Sequence, residues 1–163
     1  ISERMDSLNR GWVRWTQHLA IIGFALTAVQ NFHFLGLYPE RVAIYLEADA
    51  VTKAAMDVNQ SLMVLDPPGW LVSGGVGLWL LVVSLLGLRD DSWPNLLAYL
   101  GIAGAIGYWL FVAGNVIQME PLVTIAAGAA VTIGPAWFVW TGLMLYRSSS
   151  VSPTGAKSGL RDA

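Results

Sequence analysis

Long stretches without a charged side chain constrain the fold of this 163-residue chain more than any other feature. The segment from residue 69 to 88, GWLVSGGVGLWLLVVSLLGL, contains no Asp, Glu, Lys or Arg. About 20 helical residues cross the ~30 Å hydrocarbon core of a bilayer. Because lipid offers no hydrogen-bond partners, backbone polar groups inside that core must be paired within the segment. The segment therefore predicts a membrane-spanning helix.

Three further apolar segments have the same character. The four predicted spans cover residues of about 12–38, 69–88, 94–119 and 122–146. They lack the alternation with a period of two that marks a membrane β-barrel. Composition agrees, because 55% of the residues are apolar, 12% are charged and the mean hydropathy is +0.56. We predict an all-α integral membrane protein, an up-down bundle of four transmembrane helices in one domain over residues 1–147.

The one sizeable polar segment lies between the first two spans. Asp49, Lys53 and Asp57 repeat at four-residue steps, and apolar residues from Ala43 to Leu65 recur at three- and four-residue steps. Residues at these spacings share one face of a helix. The pattern predicts an amphipathic outer-side helix over about 40–66, which either caps the bundle or forms a docking surface. Residues 148–163 are rich in Ser and Gly, which predicts a polar tail.

Basic residues are distributed unevenly between the two sides of the predicted membrane. Seven of the nine fall on the side that holds both termini and the turn between spans two and three. These seven are Arg4, Arg10, Arg14, Arg89, Arg147, Lys157 and Arg161. Cytoplasmic segments of membrane proteins carry the excess of Lys and Arg. We therefore expect a multi-pass protein of the bacterial cytoplasmic (inner) membrane with both termini and the polar tail in the cytoplasm.

Several classes of function are disfavoured by what the sequence lacks. The chain has no cysteine, which excludes disulfides, thiolate metal sites and thiol nucleophiles. A net charge of −2 and a pI near 5.5 argue against a nucleic-acid partner. Spans two to four contain no charged side chain, whereas proton and ion pathways depend on buried ionisable groups. Because the common catalytic motifs are also absent, we expect a protein that is not an enzyme.

Two histidines, His18 and His33, both lie on span one. Fifteen residues separate them, which places them about 22 Å apart along a helix, one near each leaflet. Each is either a hydrogen-bonded structural histidine or an axial ligand of chlorophyll magnesium or haem. Faces rich in small residues serve close helix packing or admit a flat carotenoid or quinone. His33 and His18 are therefore the candidate cofactor-binding residues.

A group of uncharged polar side chains occurs at the outer ends of two spans. Gln30 and Asn31 close span one, and Asn115 and Gln118 close span three. Both spans run from inside to outside, so these ends share one membrane level. Such residues either form hydrogen bonds between helices or form an outer-leaflet site for a quinone headgroup, a lipid or a small polar ligand.

Several segments resemble known membrane proteins. The segments GPAWFVWTGLMLYR (134–147) and WPNLLAYLGIAGAIGYWL (93–110) resemble small bacterial multi-span membrane proteins of unknown function. The segment GFALTAVQNFHFLGLYPE (23–40) is similar to the four-span DoxX-like family. That resemblance implies a four-span fold and an association with redox chemistry. The acidic residue usual in the second span of the family has no counterpart between residues 69 and 88.

The small size, the charge-free spans and the faces rich in small residues favour a non-catalytic role. We expect an accessory or structural subunit of a larger photosynthetic or respiratory membrane complex, with membrane lipids and other membrane subunits as partners. A second hypothesis is a subunit that holds chlorophyll, haem, carotenoid or quinone through His33 or His18. A third is a stand-alone, redox-linked membrane protein of the DoxX-like type.

Overall fold

The computed structural model describes residues 2–62 and 64–149 and contains helices joined by short turns. A π-helical segment of six residues runs directly into the third α-helix. In chain order the elements are α1 (Ser2–Glu47), α2 (Ala50–Leu62), the π-helical segment (Trp70–Gly75), α3 (Val76–Gly87), α4 (Asn95–Val116) and α5 (Glu120–Ser149). The predicted tail lies outside the described residues, apart from its first two positions.

Within the described residues, four helical stretches are long and apolar enough to cross a membrane. They are residues 9–47, 70–87, 95–116 and 120–147. Strands are absent from the described ranges. The predicted all-α architecture with four membrane-spanning helices is therefore confirmed, and the chain is a helical membrane protein with four candidate spans.

The first helix is much longer than the predicted first span. Residue Asn9 has a non-helical backbone (φ −161°, ψ 86°), and its side-chain Oδ1 accepts a 3.4 Å hydrogen bond from the N–H of Trp12. The uninterrupted part of α1 thus begins beside this cap and continues through Pro39 to Glu47. At 1.5 Å per residue, the 38 residues from 10 to 47 extend over about 57 Å.

The helix predicted over 40–66 is divided between two elements. Its first residues belong to the end of α1, and α2 covers only the later part. The break falls beside Asp49, whose Oδ1 accepts a 2.8 Å hydrogen bond from the N–H of Thr52 and so caps α2. The Thr52 hydroxyl and, less strongly, its N–H hold the pKa of Asp49 below its usual value. A polar cap therefore ends the first helix, and Pro39 does not.

The second span begins at an unusually well-capped terminus. The Asp66 carboxylate accepts hydrogen bonds from the N–H groups of Trp70 (3.0 Å), Leu71 (2.7 Å) and Val72 (2.9 Å). Gly69 has a φ of +78°, in the left-handed region that favours glycine. Its carbonyl accepts from the N–H of Gly74, five residues on, at 2.9 Å. This pattern satisfies the free N–H groups of the helix start and begins the π-helical segment.

Neighbouring helices approach closely where glycine faces a backbone or a side chain. A Cβ at Gly23 of α1 would collide with the carbonyl oxygen of Leu71, so the backbones of α1 and the π-helical segment touch there. A Cβ at Gly101 of α4 would collide with Ser84 Oγ of α3 and would lie 2.6 Å from Nε1 of Trp137. Small residues of this kind are the main means of helix association in lipid.

Aromatic rings fill the wider gaps between helices. No Cα of α5 lies within 8 Å of a Cα of α1 or α3 in the described ranges. Phe24 on α1 meets Phe138 on α5 at a centroid distance of 5.9 Å, and Trp79 on α3 meets Trp137 on α5 at 5.9 Å. Trp137 is fully buried, and its indole N–H donates to the carbonyl of Leu97 at 3.0 Å. The bundle therefore combines close glycine contacts between neighbours with an aromatic centre.

The glycine contact of α1 predicts a position-dependent effect of adding one methyl group. Gly23→Ala should lower the free energy of unfolding by about 1–3 kcal/mol, because the new Cβ overlaps the Leu71 carbonyl. Gly36→Ala on the same helix is the matched control, since nothing lies within 4 Å of its Cβ position. Thermal unfolding in detergent micelles measures both variants. Equal stability of the two would contradict the close approach of α1.

Candidate functional site

His18 lies exposed on α1 with one ring nitrogen held by the backbone. Nδ1 is 2.6 Å from the carbonyl oxygen of Arg14, one turn earlier. A carbonyl oxygen only accepts, so Nδ1 carries the proton that forms this hydrogen bond. In the neutral imidazole, Nε2 then keeps its lone pair. His18 therefore has the tautomer and the accessibility of a single nitrogen ligand.

His33 lies fifteen residues further along the same helix and is also exposed. Its ring centroid is 6.2 Å from that of Phe34, with the two rings tilted by 58°. In residues 2–62 and 64–149, no group of three or more His, Cys, Asp or Glu side chains could hold a metal ion. The two histidines therefore occupy separate positions on α1 and do not form a joint ligand set.

The predicted outer polar group is divided between two places. Gln30 is half-buried and Asn31 is exposed on α1, whereas Asn115 and Gln118 lie at the end of α4. Within the described part of the chain, no Cα of α1 lies within 8 Å of a Cα of α4. The two pairs are not neighbours even if they lie at one membrane level. Helix α3 packs against both α1 and α4, and α1 and α4 do not pack against each other.

Asn115 and Gln118 form part of a cleft at the turn between α4 and α5. The cleft has a volume of about 570 Å³ and is lined by Gly114, Asn115, Gln118, Glu120, Val123 and Thr124. The Nδ2 group of Asn115 donates to the carbonyl of Phe111 at 2.8 Å. The N–H of Met119 donates to the carbonyl of Gly114 at 2.9 Å, which closes the C-terminus of α4. Both predicted residues thus belong to the structure of a helix end.

A second cavity, which the sequence did not predict, lies between the later half of α1 and α2. We call it the hairpin groove. It has a volume of about 250 Å³ and is lined by Phe34, Tyr38, Arg41, Val42, Tyr45, Leu46, Met56 and Asp57. The sequence contains a signal for one face of the groove, because residues 34, 38, 41 and 45 recur at helical spacing. The predicted end of span one at residue 38 divides these four residues between two helices, so the sequence does not predict their common face.

No protein-family model, curated protein or solved structure matches the chain. The function therefore has to be inferred from the residues and their geometry. Three features could bind a ligand. They are the Nε2 atom of the exposed His18, the cleft between α4 and α5, and the hairpin groove.

The turn between α4 and α5 predicts a stabilising substitution. Gln118 has a φ of +55°, a left-handed conformation that is strained for a residue with a Cβ. Gln118→Gly should raise the free energy of unfolding by about 0.5–1 kcal/mol, because glycine adopts this conformation without the Cβ clash. Gln118→Ala is the control, since it removes the same polar side chain but keeps the Cβ. Equal gains in melting temperature for both variants would show that backbone strain is not the cause.

Proposed function

We propose that the chain is a non-catalytic accessory or structural subunit of a larger membrane complex, photosynthetic or respiratory in type. The single observation behind this proposal is the hairpin made by the later half of α1 together with α2. Its helices carry apolar side chains that the chain itself leaves uncovered.

The first half of α1 attaches the helix to the bundle. Val13, Thr16 and Ala20 are buried at helical spacing, and Gly23 touches the π-helical segment. Beyond that contact more than half of the helix remains, and nothing lies within 4 Å of the Cβ position of Gly36. A helix of about 57 Å is nearly twice as long as the ~30 Å hydrocarbon core. The later half of α1 and α2 can therefore reach beyond the lipid tails.

Apolar side chains on this hairpin favour a protein partner. Leu46, Val51 and Val58 are 74%, 77% and 60% exposed. All three follow the predicted end of span one at residue 38 and lie in a stretch with six charged side chains between residues 40 and 58, so we propose that acyl chains do not cover them. Exposed apolar patches outside the bilayer mark protein–protein contacts. A subunit that docks through this hairpin would bury them.

The distribution of basic residues supports the proposed orientation. With Arg10, Arg14, Arg89 and Arg147 on one side, the positive-inside rule assigns that side to the cytoplasm. We accordingly propose that the hairpin projects from the outer face of a bacterial inner membrane. Partner subunits would then meet it on that face.

Site-specific photo-crosslinking in cells tests the proposed partner contact. A benzophenone side chain at Leu46 or Val51 should give a discrete crosslinked band, because a partner covers these positions. The control position is Ser92, which is exposed in the turn between α3 and α4 at the other end of α3. Mild-detergent extracts should also contain the chain at a mass well above 17.6 kDa. A solitary monomer in native mass spectrometry, without crosslinks at either position, would contradict the proposal.

A second candidate function is the binding of a metal-containing pigment or haem through His18. The observation that favours it is the Nδ1–H hydrogen bond to Arg14, which leaves Nε2 available as a ligand. His33 and a quinone or carotenoid remain hypotheses from the sequence. Redox-linked function of the DoxX-like type also remains a hypothesis, because its support is the sequence resemblance.

An absorption spectrum of the protein purified from its native membrane tests the second candidate. His18→Ala should remove a Soret or Q band if Nε2 is the axial ligand. His33→Ala is the matched control on the same helix and should leave the band unchanged. A spectrum without visible absorption, or a band lost only in the His33 variant, would refute ligation by His18.

A further inference from the structure

The hairpin groove contains side chains of both charge signs at one level. Helix α2 runs back along α1, and the Lys53 ammonium lies 5.4 Å from the centroid of the Tyr45 ring. One helical turn further from the connection between α1 and α2, Arg41 on α1 and Asp57 on α2 both line the groove. The groove thus presents a guanidinium and a carboxylate to the same space of about 250 Å³.

Along α1, the lining residues on both sides of Arg41 are apolar or aromatic. Phe34 lies within the apolar stretch of α1, and Tyr38 stands at the predicted end of span one. The polar residues Arg41 and Asp57 lie beyond that end. From Phe34 to Arg41 the groove therefore changes from apolar to charged in the direction in which a bilayer changes from acyl chains to headgroups, and Val42, Tyr45 and Leu46 line it beyond Arg41.

These features together match one class of ligand. We propose that the hairpin groove binds the headgroup of a zwitterionic phospholipid, in which a phosphate is joined by a short linker to an ammonium group. Arg41 binds the phosphate, since a guanidinium donates paired hydrogen bonds to phosphate oxygens. Asp57 accepts from the ammonium, and the apolar end of the groove lies along the first part of the acyl chains.

The Asp57 carboxylate makes the groove selective. A phosphatidylglycerol headgroup has no positive charge to place beside Asp57, so the carboxylate would lose a partner and repel the lipid phosphate. The Lys53 ammonium already lies over the Tyr45 ring, so the lipid ammonium has Asp57 as its partner in the groove. The proposal does not rest on the accessory-subunit role, since Val51 and Val58 of the docking surface lie outside the groove lining and Leu46 alone belongs to both.

Native mass spectrometry of the delipidated full-length chain in detergent tests the lipid site. Dioleoyl-phosphatidylethanolamine and dioleoyl-phosphatidylglycerol are added at equal concentration. The unaltered chain should retain the ethanolamine lipid about fivefold more than the glycerol lipid. Arg41→Gln should weaken retention of both lipids about tenfold. Asp57→Lys should reverse the preference toward the glycerol lipid.

Two matched controls lie in the turn between α3 and α4. Arg89→Gln and Asp91→Lys make the same charge changes at exposed positions outside the groove and should leave retention and preference unchanged. A misfolded protein would lose both lipids and would not reverse its preference. The Asp57→Lys variant therefore distinguishes a change at the lipid site from a loss of the fold. Equal retention of both lipids by the unaltered chain would overturn the proposal. An unchanged preference in Asp57→Lys, or equal losses in Arg41→Gln and Arg89→Gln, would overturn it as well.

Discussion

Close contact between the backbones of neighbouring helices is the interaction on which this structure depends. Lipid tails are as apolar as leucine, so burial of apolar side chains alone does not drive membrane helices together. In this chain Gly23 lets α1 touch the carbonyl of Leu71, and Gly101 lets α4 touch Ser84 of α3. The first contact also requires the π-helical segment to be in place. Its terminus is secured by the three hydrogen bonds that Asp66 accepts.

Aromatic residues complete the bundle where the helices stand further apart. Trp79, Trp137 and Phe138 form a ring cluster in which Trp79 stacks on Phe138 at 6.0 Å. The indole N–H of Trp137 is satisfied by the carbonyl of Leu97, which removes the cost of burying a polar group there. Space for ligands is therefore found at the helix ends, in the α4–α5 cleft and in the hairpin groove.

The hairpin brings the functional proposals together. Its outer surface carries Val51 and Val58, Leu46 is both exposed and part of the groove lining, and the groove between the helices contains Arg41 and Asp57. An exposed apolar surface suits a protein partner, whereas a groove with one charge of each sign suits a zwitterionic lipid headgroup. A lipid bound between α1 and α2 would also hold the two helices at a defined separation.

Hydropathy alone determined the number of spans and most of their limits. The prediction of 69–88 corresponds to helix over Trp70–Gly87, and 94–119 corresponds to Asn95–Val116. These limits follow from the sequence because transfer into lipid is a property of each segment by itself. The limits of α1 and α2 did not follow in the same way. Whether a helix ends at Pro39 or beside Asp49 depends on which break the surrounding hydrogen bonds stabilise.

Contacts between segments required the tertiary structure. The sequence placed Gln30, Asn31, Asn115 and Gln118 at one membrane level, but helix packing keeps α1 apart from α4. The hairpin groove, in contrast, joins Phe34 and Tyr38 of the predicted first span to residues of the predicted helix over 40–66. The physical reason is that hydropathy and periodicity describe one helix at a time. Which helix lies beside which is decided by glycine contacts and aromatic fillers distributed over the whole chain.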